Sequence, residues 1–190
     1  ATRQSRRIGL LVEQLLEAAK LEAGQVTVNV EPFPIGELLQ DVVQKFALVA
    51  RDRGVTLELD TKAAATMVNG DIALLERVLD NLIDNALRHT PIGGRVTVQS
   101  QPRGERIRIA VTDSGPGLTR EEAERAFERF YRGDPGRSTH SGQSGLGLAI
   151  VKSILELHGS NVAVKSQPGH GASFYFELPI VTQPPRTAPT

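Results

Sequence analysis

The chain has 190 residues, 39% hydrophobic and 23% charged, enough for one sizeable domain with an accessory element rather than two full domains. Lys+Arg and Asp+Glu are both 22, so the formal net charge is zero and electrostatics offers no reason to count nucleic acid or an anionic membrane among its partners. There is no cysteine, which excludes disulfides, thiolate catalysis and cysteine-ligated zinc, and the four histidines (89, 140, 158 and 170) lack metal-ligand spacing.

Residues 3–23, "RQSRRIGLLVEQLLEAAKLEA", predict one amphipathic helix about 30 Å long, capped by Gly24. Ile8, Leu11, Val12, Leu15, Leu16 and Ala19 form its apolar stripe. Nothing inside the segment can cover that stripe, so it calls for a partner helix. "VTVNV" (26–30) reads as a short strand and "EPFP" as the turn into a helix over about 35–53. The alternation of "VTLELD" (55–60) predicts a strand, and "TMVNGD" a second short strand and turn with Asp71 as N-cap.

The next run, "LERVLDNLIDNALRHTP" (75–91), carries a buried stripe of Leu75, Leu79, Leu82, Ile83 and Ala86. Asn81, Asn85 and Arg88 share a different face, although asparagine is a poor helix former. Two readings stand at this point, a solvated face or a polar site. "RVTVQS" (95–100) and "RIRIAVTD" (106–113) should pair as a hairpin around "QPRGE". "DSGPGL" (113–118) places an aspartate at a strand end beside two glycines, the means to accept from an exocyclic amine and let a flat group approach; an Asx-capped turn explains it equally simply.

A short helix at about 119–130 precedes the aperiodic polar segment "YRGDPGRSTHSGQS". "SGQSGLGLAI" (141–150) is a glycine-rich loop entering a helix that runs from Leu146 to about His158, an anion site or a flexible linker; it matches neither a P-loop nor a dinucleotide fingerprint. "NVAVKSQ" and "ASFYFELP" make a last hairpin turned by "PGHG", and "TQPPRTAPT" reads as a disordered tail. Hairpins dominate the second half without a regular βαβ rhythm. The fold class is therefore α+β, a two-layer sandwich with helices on one face of a mixed, mainly antiparallel sheet.

Taken together, in this order and at these spacings, the motifs resemble those of the ATP-binding catalytic domain of sensor histidine kinases, in the superfamily that includes Hsp90-type chaperones and mismatch-repair ATPases. "LDNLIDNALRHT" resembles the N box, "DSGPGL" the G1 box, "FERFYRGD" the F box, "SGLGLAI" the G2 box and "GHGASF" the G3 box. The resemblance implies that Asn85 ligates a Mg2+ ion bridging the phosphates of ATP, with Asn81 and Arg88 beside them and His89 packing near the nucleotide. It implies that Asp113 accepts from the adenine amine and that Gly115, Gly117 and Leu118 give the ring room. Gly145, Leu146, Gly147 and Leu148 would bring backbone to the phosphates, and Ser173 would join the nucleotide site. Residues 131–144 would form a mobile lid anchored by Phe127 and Phe130, with Arg132 reaching the terminal phosphate.

None of the four histidines is followed by an acidic residue, so none forms the His-acidic pair of a phosphoacceptor. Helix 3–23 resembles the second helix of the dimerisation and phosphoacceptor hairpin, whose first helix would precede Ala1. The expected domains are thus 1–24 (hairpin helix), 25–34 (linker), 35–180 (catalytic domain) and 181–190 (tail). On this reading the chain binds ATP and Mg2+ but does not autophosphorylate. The intact protein would transfer the γ-phosphoryl group to a histidine, relay it to a response-regulator receiver domain and self-associate through the hairpin helix. The chain has no apolar run of the ~18 residues that span a membrane and no signal peptide, so it reads as cytoplasmic, with a parent anchored in a bacterial inner membrane. The alternatives are a nucleotide-binding module without transfer activity and a serine kinase of the same superfamily. A self-contained ATPase is disfavoured, because the position four before Asn85, where a glutamate base would stand, is Asn81.

Overall fold

A computed structural model describes residues 9, 12–13, 15–16, 18–21, 23–62, 64–131 and 145–181. The described residues before Gly24 are helical and end in a Schellman motif: Gly24 takes φ +64, and the N–H groups of Gly24 and Gln25 donate to the carbonyls of Leu21 and Lys20. The elements that follow are β1 (Glu31–Pro34), α1 (Ile35–Asp52), β2 (Thr56–Thr61), β3 (Met67–Gly70) and α2 (Ile72–His89). After them come β4 (Arg95–Arg103), β5 (Arg106–Asp113), α3 (Arg120–Arg125), α4 (Gly147–Leu157), β6 (Ala163–Ser166) and β7 (Ala172–Pro179).

One sheet has the order β2-β4-β5-β7-β6, parallel only between β2 and β4, and β1 pairs with β3 in a separate antiparallel ribbon. Strand alternation sends Val96, Val98, Ile107, Ile109, Val111, Phe174, Phe176 and Leu178 to one face, where they are buried. The apolar stripes of α1, α2 and α4 close over that face. Ile83 and Val78 of α2 and Ile150 and Ile154 of α4 are fully buried, so these two helices share the centre of the core.

Three boundaries differ from expectation. The strand expected over 26–30 lies outside any ladder, and pairing starts instead in the expected turn, at Glu31–Pro34 against Met67–Gly70. Burial decides this: Phe33 points into the core, whereas Val30 is exposed. A two-stranded ribbon tolerates Pro32 and Pro34 because an outer edge needs no N–H donor. The helix expected over 119–130 ends at Arg125, where three-residue turns take over and lead to Phe130 at φ +58. β4 runs on to Arg103, leaving only Gly104 and Glu105 between it and β5. Pro102 fits there because β2 stops pairing at Ser100, so that flank of β4 has no neighbour demanding its donor.

Candidate nucleotide site

α2 starts from Asp71, whose side chain accepts from Leu74 N–H as an N-cap at 3.1 Å and from Asn29 N–H at 2.8 Å. The Asn81 amide donates to the Arg77 carbonyl at 2.8 Å, which turns its oxygen toward the start of α4. A Cβ on Gly147 would stand 2.9 Å from that oxygen, so glycine is what lets the two helices meet there. Asn85 follows one turn on, half-buried. At the helix end, the His89 carbonyl lies where a Cβ on Gly115 would be 2.7 Å away. From Asn81 to His89 the axis rises about 12 Å. One face of α2 thus spans the distance between the α4 N-terminus and the turn after β5.

At that turn Asp113 is 6% exposed and accepts from Gly115 N–H at 2.8 Å. Burial raises its pKa above the ordinary carboxylate value, opposed by the backbone donors of Gly115 and Ala172. The loop from β6 to β7 packs directly onto this turn. Gly171, at φ +74, has no room for a Cβ against the Asp113 carbonyl, and Gly117, at φ +69, has none against the Gln167 carbonyl. Ser166 fastens the two loops: its hydroxyl donates to the Gly171 carbonyl at 2.6 Å and accepts from Leu118 N–H at 2.7 Å. The sequence singled out both glycine pairs but not Ser166, because a serine at a strand end carries no signal of what it will fasten.

The far rim is built from Phe127 to Tyr131 and Gly145. Phe127 meets Phe174 edge-on with centroids 6.1 Å apart, and Arg125 stacks on Tyr131 at 4.3 Å. Phe130 donates its N–H to the Gly145 carbonyl at 2.9 Å, and a Cβ on Gly145 (φ +70) would sit 2.7 Å from Phe130 Cα. The two ends of the segment between them are therefore held together, while the Phe130 ring is 60% exposed. Leu146 is buried under the start of α4, which has no side-chain cap, and Leu148, the second residue of that helix, is half-buried. Arg132 and the rest of the expected lid beyond Tyr131 lie outside the described residues, as do His140 and the expected tail beyond Val181.

One expected site residue does not face Asp113. Ser173 is the cross-strand partner of Thr112, and their hydroxyls are 2.8 Å apart on the opposite face of the sheet. Ala172 is the residue paired with Asp113, because side chains alternate along β7. Leu118 and Ser173 both line an open cleft of about 890 Å³ between α3 and the β6–β7 loop. Arg88 lies on the Asn81–Asn85 face but donates from Nε to Asp84 at 2.7 Å. Among the described residues, no group of three or more His, Cys, Asp or Glu could hold a metal ion. A cation here would depend on amide oxygens and on oxygens brought by a ligand, a donor set that suits Mg2+.

The family model for histidine kinase-, DNA gyrase B- and HSP90-like ATPases matches residues 70–182. The sensor-like histidine kinase SenX3 of Mycobacterium tuberculosis is 34% identical over 180 residues, 95% of this chain and 44% of that protein. The crystal structure of full-length ShkA in complex with AMPPNP superposes with a TM-score of 0.82 at 30% identity, covering 95% of this chain and 38% of that one. The histidine kinase ThkA, in complex with the response regulator protein TrrA, gives a TM-score of 0.76 at 25% identity over 94% of this chain and 48% of that one. The chain spans less than half the length of SenX3.

Proposed function

Because the chain belongs to the family of histidine kinase-, DNA gyrase B- and HSP90-like ATPases, we propose that it positions Mg-ATP for transfer of the γ-phosphoryl group to a histidine on a dimerisation domain. The observation that carries this reading is Asp113. A buried carboxylate is costly unless something uses it, and this one sits at the bottom of a glycine-lined turn facing α2. The amine of adenine meets an acceptor there, and Gly115 and Gly117 keep side chains out of the plane of the ring.

The phosphates then extend along α2. Asn81, Asn85 and Arg88 present amide oxygens and a guanidinium, and the backbone of Gly145, Leu146, Gly147 and Leu148 would approach the phosphates where α4 starts without a side-chain cap. Asn85 would ligate the Mg2+ ion, which supplies charge neutralisation at the phosphates when bound. His89 packs beside the base, Phe130 belongs to the rim beside the nucleotide, and Arg132 would reach the terminal phosphate. The chain's own residues bind and orient; the nucleophile is a histidine nitrogen from the partner domain, and catalysis is alignment plus charge stabilisation.

None of the chain's own histidines is assigned that role. His158, for instance, uses both ring nitrogens internally, accepting from Asp71 N–H at 3.0 Å while Nδ1 lies 2.8 Å from the Ile154 carbonyl. The receiving protein downstream is a response-regulator receiver domain, a reading supported by the ThkA complex with TrrA. The helical segment before Gly24 self-associates in the parent protein, which is anchored in a bacterial inner membrane. No helix among the described residues is long and apolar enough to cross a membrane.

Calorimetric titration with ATP, with and without Mg2+, tests the site. The wild-type chain is expected to bind, Asp113→Asn to abolish binding, and Asn85→Ala to remove mainly the dependence on Mg2+. Failure of the wild type to bind ATP overturns the reading.

A further inference from the structure

Arg88 lies where two stripes of α2 meet. It is three residues beyond Asn85 on the polar face and four beyond Asp84 on the seam with α1. Its Nε donates to Asp84 Oδ2 at 2.7 Å, and among the described residues the guanidinium has no other partner. The second carboxylate oxygen, Oδ1, lies 4.0 Å from Nη2 of Arg53, the C-cap residue of α1. One carboxylate thus stands between two guanidiniums carried by different helices. The Arg88 and Asp84 side chains are 30% and 38% exposed, so neither is fully solvated.

An ordinary exposed i,i+4 pair contributes little to stability, and stability is not what this geometry serves best. A guanidinium carries five N–H bonds in a rigid plane. A contact through Nε uses one of them and leaves the four on the two Nη groups for a planar, bidentate acceptor. Arg53, 4.0 Å from the far oxygen, places a second positive charge beside the carboxylate on the α1 side.

We propose that Asp84 is a positioning residue for phosphate recognition: it holds Arg88 by Nε and presents both Nη groups to phosphate along the Asn81–Asn85 face. The inference rests on the reading of that face as the phosphate site. Asp84 itself touches no phosphate; a carboxylate close to one would repel it, and its contribution passes entirely through Arg88.

Titrating the chain with ATP, ADP and adenosine in magnesium chloride separates phosphate-dependent from base-dependent binding. Asp84→Asn is expected to weaken ATP and ADP about fivefold and to leave adenosine unchanged, and Arg88→Ala to weaken the two nucleotides by about tenfold. Asp84→Asn added to Arg88→Ala should cost nothing further, and Asp84→Glu, which keeps a carboxylate at the same helical spacing, should restore most of the ATP affinity. If Arg88→Ala weakens ATP and Asp84→Asn does not, the role of Asp84 is overturned while the phosphate site stands. Tighter ATP binding by Asp84→Asn would mean that the carboxylate competes for Arg88, and an equal loss of adenosine would mean a purely structural role; either result overturns the proposal. An Arg88→Ala variant that binds ATP normally removes its premise without touching the adenine assignment, whereas a wild-type chain that binds no ATP removes both.

Discussion

At the end of β5, a single carboxylate is buried at a cost in stability. Asp113 has its pKa raised by loss of water, and the N–H donors of Gly115 and Ala172 only partly offset this. For an acid raised in this way, the contribution to folding stability is fully present below the unfolded value and is lost as pH rises through the folded one. Ionising this buried group costs stability, yet the ionised form is the one that would accept from an adenine amine under the proposed function. ATP affinity is therefore expected to fall on acidification at a higher pH than for an ordinary surface aspartate, as read by calorimetric titration at a series of pH values below neutral. Asp113→Asn should lack this pH dependence of stability and should melt no lower than wild type at neutral pH. At this scale the sequence was legible where a residue type has few uses, as with Asp113 and the glycines around it. Ser173 and Ala172 were not separable, because adjacent residues of a strand face opposite ways and only the register against β5 says which one meets Asp113.

Elements are joined here by a few polar contacts at their ends. His158, just past α4, accepts from Asp71 N–H at the start of α2, and the Asp71 side chain takes Asn29 N–H from the segment after the first helix. One residue pair thus ties together the end of α4, the cap of α2 and the chain leading into the domain. His158→Ala leaves Asp71 N–H and the Ile154 carbonyl without these partners, and should cost about 1–3 kcal/mol in chemical denaturation. α3 depends on local chemistry instead, with Thr119 and Glu122 closing a capping box around six residues. Helices and strands with strong periodicity were plain in the sequence: α1, α2 and α4 lie where expected, and β4 and β5 pair as expected, though with a tighter turn. The failures fall where local pattern and burial disagree. "VTVNV" alternates well but has no strand to pair with, whereas "EPFP" has poor strand chemistry but brings Phe33 to a vacant place in the core.

At the scale of the whole molecule, the first helix divides its apolar side chains. Ala18 and Leu21 are buried in the domain core, whereas Val12, Leu15 and Leu16 are 49%, 45% and 56% exposed. An apolar row of that kind is seldom left in water. The chain is expected to self-associate at high concentration, and replacing Val12, Leu15 and Leu16 by Gln should shift sedimentation toward the monomer without changing ATP affinity. ATP binding that falls together with association would show that the first helix supports the nucleotide site. Local periodicity and motif order together determined the fold class, the nucleotide reading and the residues to test, since hydrophobic spacing reports burial and glycine reports backbone freedom wherever they occur. Only the tertiary structure decided which face each strand residue takes, how the β6–β7 loop closes on Asp113 through Ser166, and that Asp84 stands between Arg53 and Arg88. Those are contacts between residues far apart in the chain, 58 positions in the case of Asp113 and Gly171, and their geometry is set by register and helix packing rather than by any local pattern.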